Sequence, residues 1–267
     1  MKKYTLFFAL TLACIAFGLQ QAANPATAAE NTGSIQSMQD LNGKRIGVLA
    51  GTILDDSINL EMDYTSITYF NNTSDEYKAL SDGDIDAFVE DRSVAMFLVS
   101  EFPELKVLPE NLTETYYGFA TRYEDDDTYD TVNNALVKMM GDGTIEYLIK
   151  KWLQSPASER VLPPVKENPD ALPLLVGVSS VSPPFAYTGT DNQVLGLDIE
   201  LLQILTERIN RRLVYTDMEF QDLIKSLLDK DVDVIGSCFS ITESRAKLIH
   251  FTEGYFKDGA SVITLNK

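Results

Sequence analysis

Leu80-Ser81-Asp82-Gly83-Asp84-Ile85-Asp86-Ala87-Phe88-Val89 has a counterpart of the same shape in Leu227-Leu228-Asp229-Lys230-Asp231-Val232-Asp233-Val234-Ile235-Gly236. Each stretch reads as a helix end, an acidic turn and a short apolar strand with an inner aspartate. Upstream of the first lie a strand at Arg45–Leu49, a helix opened by Gly51-Thr52, a strand at Ser66–Phe70 and a helix from about Ser74. Upstream of the second lie a strand at Leu174–Val178, a rigid turn at Val181-Ser182-Pro183-Pro184-Phe185 and an amphipathic helix from Gly196 to Ile209. A strand at Leu213–Thr216 and a helix at Gln221–Leu228 complete that set. Both stretches therefore close a β-α-β-α-β unit, the pattern of a parallel sheet covered by helices. Two lobes of one build are expected.

Between the units, the spacing predicts a helix over Ser93–Val99, strands at Lys106–Leu108 and Tyr116–Arg122, and a helical pattern over Thr128–Leu153 interrupted at Gly141-Asp142-Gly143. Gln154–Pro173, rich in proline and charge, is the clearest break in composition and reads as a linker. A last strand is expected at Ala260–Leu265. The chain has 267 residues, 45% hydrophobic and 23% charged, which suits a globular protein rather than a disordered one. Its net charge of −18 argues against nucleic acid and against anionic membrane surfaces as partners. Met1-Lys2-Lys3, the apolar run Leu6–Leu19 and Ala26-Thr27-Ala28 read as a secretory signal over residues 1–28. Lipidation at Cys14 is the alternative, although Thr11-Leu12-Ala13 matches an acceptor site poorly. Residues 29–39 are polar and are expected to be loose.

Ligands of open α/β sheets bind beyond the carboxyl ends of the strands. One lobe presents Glu90-Asp91 there. The other presents Ser237-Cys238-Phe239-Ser240-Ile241-Thr242-Glu243-Ser244-Arg245, with Thr242 read as the cap of a helix that Arg245 helps begin. A guanidinium grips a carboxylate with paired bonds, and a carboxylate takes an ammonium. Facing each other across a cleft, these ends suit an amino-acid zwitterion.

Pro183-Pro184-Phe185, Gly196-Leu197-Asp198-Ile199, Asp231–Ile235, Ser240–Arg245 and Phe251-Thr252-Glu253-Gly254-Tyr255-Phe256 resemble the first half of the family 3 extracellular solute-binding proteins, the polar amino-acid receptors of ABC importers. Leu41-Asn42-Gly43-Lys44-Arg45-Ile46-Gly47-Val48, Gly51-Thr52, Gly83–Ala87 and Gly141-Asp142-Gly143-Thr144, ending at Trp152, resemble the second half. The halves stand in exchanged order and each occurs once. The resemblance implies a two-lobed α/β periplasmic-binding-protein fold of type II, each lobe a mostly parallel sheet flanked by helices, in circularly permuted order. A fragment of a tandem receptor, half-receptors pairing between chains and a degenerate remnant are the alternatives. The implied layout is a lobe over residues 40–114, a crossing at 115–122, the other lobe over 123–258 with the linker 154–173, and a second crossing strand at 259–267.

The resemblance further implies that Arg245 binds the ligand α-carboxylate with help from Ser240 and Thr52. It implies that Asp91 takes the α-ammonium, that Phe220 forms an aromatic wall, and that Ser237 and Cys238 touch the ammonium or side chain. Core packing is the plain reading of Phe220, and a solvated strand end that of Asp91. Ser179, Ser182 and Ile53 depart from the family pattern, which often has an acid, an aromatic and a second hydroxyl there. Without an acid at Ser179, a basic amino acid is the less expected ligand. His250 and Cys238 read as structural, Glu124-Asp125-Asp126-Asp127 as a solvated run, and no spacing suggests a metal or cofactor. The expected function is an exported, monomeric receptor serving an ABC permease from the periplasm or outside the cell. The alternatives are a cyclohexadienyl or arogenate dehydratase using Glu90 or Glu219 as an acid, and a sensor acting through a partner.

Overall fold

Asp86 and Asp233, the inner aspartates of the repeated stretches, each lock one strand beside another. The Asp86 carboxylate accepts the Arg45 amide hydrogen at 2.8 Å and pairs with the Arg45 guanidinium at 2.9 Å, while the Asp86 amide donates to the Arg45 carbonyl at 2.8 Å. Asp233 treats Leu175 alike, accepting its amide hydrogen at 3.1 Å and donating to its carbonyl at 2.7 Å. An aspartate that satisfies both main-chain groups of one neighbouring residue fixes strand register before any side-chain packing does.

The computed structural model describes residues 34–54, 58, 64–165 and 168–266. The strands are β1 (Arg45–Leu49), β2 (Ser66–Phe70), β3 (Ala87–Asp91), β4 (Leu105–Val107), β5 (Thr115–Tyr117), β6 (Ala120–Thr121) and β7 (Pro173–Val178). They continue with β8 (Val181–Ser182), β9 (Ala186–Thr188), β10 (Val194–Leu195), β11 (Arg212–Asp217), β12 (Val234–Ile235), β13 (His250–Phe251), β14 (Phe256–Asp258) and β15 (Ala260–Leu265). The helices described over their whole length are α1 (Thr73–Asp82), α2 (Arg92–Glu101), α3 (Asp126–Gly141), α4 (Thr144–Ile149), α5 (Leu197–Arg208) and α6 (Leu223–Leu228).

Two five-stranded sheets result, ordered β2-β1-β3-β15-β4 and β11-β7-β12-β6-β13. They are topologically alike. In each, the first strand lies between two parallel neighbours, and the fourth place is taken by an antiparallel strand arriving from elsewhere in the chain. Those two arrivals run through β5 and β14, which pair antiparallel, Tyr117 opposite Phe256 and Thr115 opposite Asp258. The chain thus passes between the lobes along a two-stranded ribbon, and the α/β architecture is the two-lobed one expected.

Packing follows the apolar pattern. Leu197, Leu201, Leu202 and Leu205 of α5 are fully buried with Leu136, Leu148 and Trp152. The Trp152 indole donates to Glu200 at 2.6 Å and Lys151 pairs with the same carboxylate at 2.7 Å, fastening the segment before the linker to α5. The expected strand over Tyr116–Arg122 is two short strands instead, because the chain leaves the ribbon at Gly118 to enter the second sheet. The pattern over Thr128–Leu153 divides at Asp142-Gly143, where Gly143 takes a φ of +84° and starts a new helix. The anticipated helix at Arg245 is a single 3-10 turn, Arg245–Lys247, with the Thr242 hydroxyl accepting the Arg245 amide hydrogen at 3.2 Å.

Of the segment 29–39 expected to be loose, residues 34–39 are tied down. The Asp40 carboxylate accepts the amide hydrogens of Gln36 and Ser37, both at 2.9 Å, and Ile35 is buried in the core with Leu41. The signal reading of residues 1–28, with Cys14, lies outside the described residues. Among the described residues no helix is long and apolar enough to cross a membrane.

Candidate functional site

The carboxyl ends of β1 and β3 face those of β7 and β12 across a cleft, and the side chains there are set by the turn that leaves each strand. After β1 the chain turns at Gly51, φ +77°, where a Cβ would stand 2.9 Å from Gln221 Cα of the other lobe. The main chains of the lobes touch at that point. The Arg245 guanidinium spans the same gap, donating to the Ser240 carbonyl at 2.9 Å and to the Gly51 carbonyl at 3.0 Å. It also lies over the rings of Phe239, 4.4 Å from the centroid, and Phe220, 5.6 Å away. Burial lowers the Arg245 pKa to about 10, which leaves the group charged at neutral pH. Thr73 makes a further bridge, its hydroxyl 2.8 Å from the Val181 carbonyl. The cavity left between the lobes is about 10 Å³, room for one water molecule, so the cleft is shut.

That cavity is lined from one lobe by Leu49, Thr52, Ile53, Leu54, Glu90 and Asp91, and from the other by Ser182, Phe220, Cys238, Ser240 and Arg245. Of the residues singled out from sequence, Arg245, Asp91, Ser240, Thr52, Phe220 and Cys238 are brought together here. Ser237 is not. Its φ of +99° turns the side chain away, and its hydroxyl accepts the Ser179 amide hydrogen at 3.0 Å behind the cleft. Cys238 is also left-handed, φ +54°. It is held there by Asp198, whose carboxylate accepts the Cys238 amide hydrogen at 2.7 Å and the Tyr255 hydroxyl at 2.6 Å. Burial raises the Asp198 pKa to about 6.

The acidic side of the cleft is crowded. Asp91 stands 3.2 Å from the Cys238 sulfur, and its pKa is pushed to about 8 by burial and then by the charges of Glu90 and Asp258. Asp258 itself accepts the Ser93 amide hydrogen at 3.0 Å and the Tyr117 hydroxyl at 3.2 Å. Glu90 accepts the Thr73 hydroxyl at 2.8 Å, and burial raises its pKa to about 7. Behind it Glu76 is fully buried beside Glu90, with neither oxygen meeting a donor. Burial and the neighbouring Glu90 charge push Glu76 well above the usual carboxylate range. Asp198, Asp258 and Glu76 are not marked as site residues by the sequence, whereas Glu90 is, as part of the Glu90-Asp91 strand end and as a candidate acid. Of the first three, Asp198 alone gave a signal, through its place in Gly196-Leu197-Asp198-Ile199.

Residues 174–267 match the family model described as bacterial extracellular solute-binding proteins, family 3. That segment is similar to this family. It contains Phe220, Cys238, Ser240 and Arg245, whereas Thr52, Glu90 and Asp91 lie outside it. L-cystine-binding protein TcyJ of Escherichia coli (strain K12) is 32% identical over 123 residues, 46% of this chain and 46% of its own length. ABC transporter arginine-binding protein 1 of the same strain is 36% identical over 87 residues, 33% of this chain and 36% of its own length. The arginine-bound form of domain 1 from TmArgBP is 33% identical, with a TM-score of 0.30, over 35% of this chain and 79% of that domain. The chain spans less than half the length of the curated relatives it matches.

Proposed function

We propose that this chain is an exported receptor that closes around a polar amino acid and presents it to an ABC permease. The observation that carries the reading is the meeting of Arg245 and Asp91, from opposite lobes, in one buried cavity. Arg245 would take the α-carboxylate and Asp91 the α-ammonium, with Thr52 and Ser240 beside them and Phe220 as a wall. The relatives named as cystine-, arginine- and histidine-binding proteins support the same class of ligand. The ribbon of β5 and β14 supplies the hinge such closure needs.

We further propose that the halves of the receptor are circularly permuted within one chain. In support, the family segment is the C-terminal part of the sequence, and both equivalent sheets are completed by strands of the same chain. The linker 154–173 would then join the ancestral ends.

The test is calorimetry and thermal shift on the full chain with a panel of L-amino acids. Stabilisation by at least one zwitterion, recovered unchanged after the titration, is the expected result. Failure of every zwitterion to bind would overturn the reading of the cleft.

A further inference from the structure

Ser179, where the family often carries an acid, does not line the cavity. Its side chain is fully buried and its hydroxyl finds no partner. The cleft has an acid from the opposite lobe instead. We propose that Glu90 selects a basic amino acid, receiving the guanidinium or ammonium end of its side chain while Arg245 and Asp91 hold the α-groups. This rests on the amino-acid reading above and names the ligand class within it.

Three observations carry it. Glu90 lines the same cavity as Asp91 and Arg245 and is only 1% exposed, so its carboxylate belongs to the cleft rather than to solvent. It is also aimed. Thr73 fixes one oxygen at 2.8 Å, and the same hydroxyl sits 2.8 Å from Val181 of the other lobe, so the Glu90 position is set when the lobes are shut. Finally, Glu76 stands behind Glu90, completely buried and without a donor for either oxygen. Two carboxyl groups in contact are stable when one keeps its proton. With the proton kept on Glu76, a cation at the cleft can draw the charge onto Glu90, the residue that lines the cavity.

The charge count points the same way. Glu90 and Asp91 line the cavity, Asp258 backs Asp91, and the guanidinium facing them is Arg245. A neutral zwitterion adds one charge of each sign and brings Glu90 no cation, so the buried carboxyl keeps its proton and is left without a charged partner. A basic side chain adds the missing cation.

The probe pair is L-arginine and L-citrulline, nearly equal in shape and differing in charge, titrated calorimetrically into the full chain and into Glu90→Gln. The wild-type chain is expected to bind arginine about 10-fold or more tighter than citrulline, as a charge-assisted bond in a buried site warrants. Glu90→Gln should bring the two within about 3-fold of each other while still binding citrulline, which also certifies its fold. Citrulline binding the wild type as tightly as arginine, or an arginine preference that survives in Glu90→Gln, would overturn the assignment of Glu90 and leave the receptor reading standing. If arginine, citrulline and every other zwitterion fail on the wild type, the receptor reading itself falls and this inference with it.

Discussion

Val89-Glu90-Asp91 and Gly236-Ser237-Cys238 occupy equivalent places in the two lobes, each following a strand that an aspartate has locked to its neighbour. Up to that point the lobes agree bond for bond: Ile46 lies opposite Ala87 as Val176 lies opposite Val234. Then they part. The first end stays extended through Asp91 and runs straight into α2, delivering two carboxylates to the cleft. The second breaks into left-handed backbone at Ser237 and Cys238 and loops on until Arg245 returns a guanidinium to the same place. The equivalent residues Asp91 and Cys238 meet at 3.2 Å. One frame can thus present opposite charges, because Asp86 and Asp233 set the frame upstream and the segment leaving each strand sets the charge.

Breaking the cationic side should have the largest effect. Arg245→Ala removes the group that bridges the lobes through Gly51 and leaves any bound carboxylate without its partner. The expected loss in affinity is about 100-fold or more, in line with the few kcal/mol that truncating one side of a buried charge pair costs. Calorimetry with the tightest amino acid found for the wild type measures it. Unchanged affinity would mean that the carboxylate half of the clamp lies elsewhere.

The acidic side should show itself through pH. Asp91 and Glu90 titrate near 8 and 7 in the folded chain, whereas unfolded carboxylates ionise near 4. Between those limits the native state holds protons that the unfolded state has released, so this contribution to stability is full below about pH 4 and disappears as pH rises through 7 and 8. Asp86 and Asp142 work in the opposite sense, since hydrogen bonds and their arginine partners hold them low, Asp142 at about 2, and their contribution is lost only in strong acid. The ligand-free chain should therefore melt at a higher temperature near pH 5 than at pH 8. Asp91→Asn should flatten that slope. A melting temperature that climbs steadily from pH 5 to 8 would contradict the burial of these acids.

Closure itself can be probed where the lobes touch. A Cβ at Gly51 would press on the Gln221 main chain, so Gly51→Ala opposes the shut state more than the open one. Its φ of +77° adds a backbone cost of about 1 kcal/mol in both states. Ligand affinity is expected to fall about 10-fold, as a strained contact made only on closing implies, with a modest drop in melting temperature. Equal affinity in the variant would mean that ligand is held without this contact.

Much of this frame was legible in the sequence, because apolar runs bounded by acidic and glycine turns mark each strand and helix. The cleft residues were legible where they sit on strand ends or beside Arg245. The resemblance implied a ligand contact for Ser237, but a short motif says nothing about left-handed backbone, and the side chain turns behind the cleft to Ser179. Glu76 was invisible for another reason. In the polar helix Thr73–Asp82 the spacing puts Glu76 on the face of Thr73, Ala79 and Leu80, but a carboxylate there reads as solvated. Glu76 is nonetheless fully buried and Asp75 is not.

The smallest effect tests how far the likeness of the lobes extends back from the cleft. Gly83 and Lys230 end the equivalent helices in left-handed conformation, with φ +80° and +69°. Their amides donate to Leu80 and Leu227, both at 3.2 Å, and the following aspartates donate to Ala79 and Ser226 at 2.8 and 3.0 Å. The turn is the same, but one lobe builds it with glycine and the other with a residue that pays for its Cβ. A Cβ on Gly83 would meet no atom within 4 Å, so Gly83→Ala isolates the backbone term and should cost about 1 kcal/mol in urea unfolding. Lys230→Gly removes that strain and adds the greater freedom of glycine in the unfolded chain, so the two terms should cancel to within about 0.5 kcal/mol. The exposed Lys230–Glu124 pair, at 3.8 Å, adds little to either side. Neither change should alter ligand affinity, since both turns lie at the opposite end of their strands from the cleft. If Gly83→Ala cost nothing, the equal geometry of the two turns would not reflect equal energetics, and the likeness of the lobes would stop at the strands.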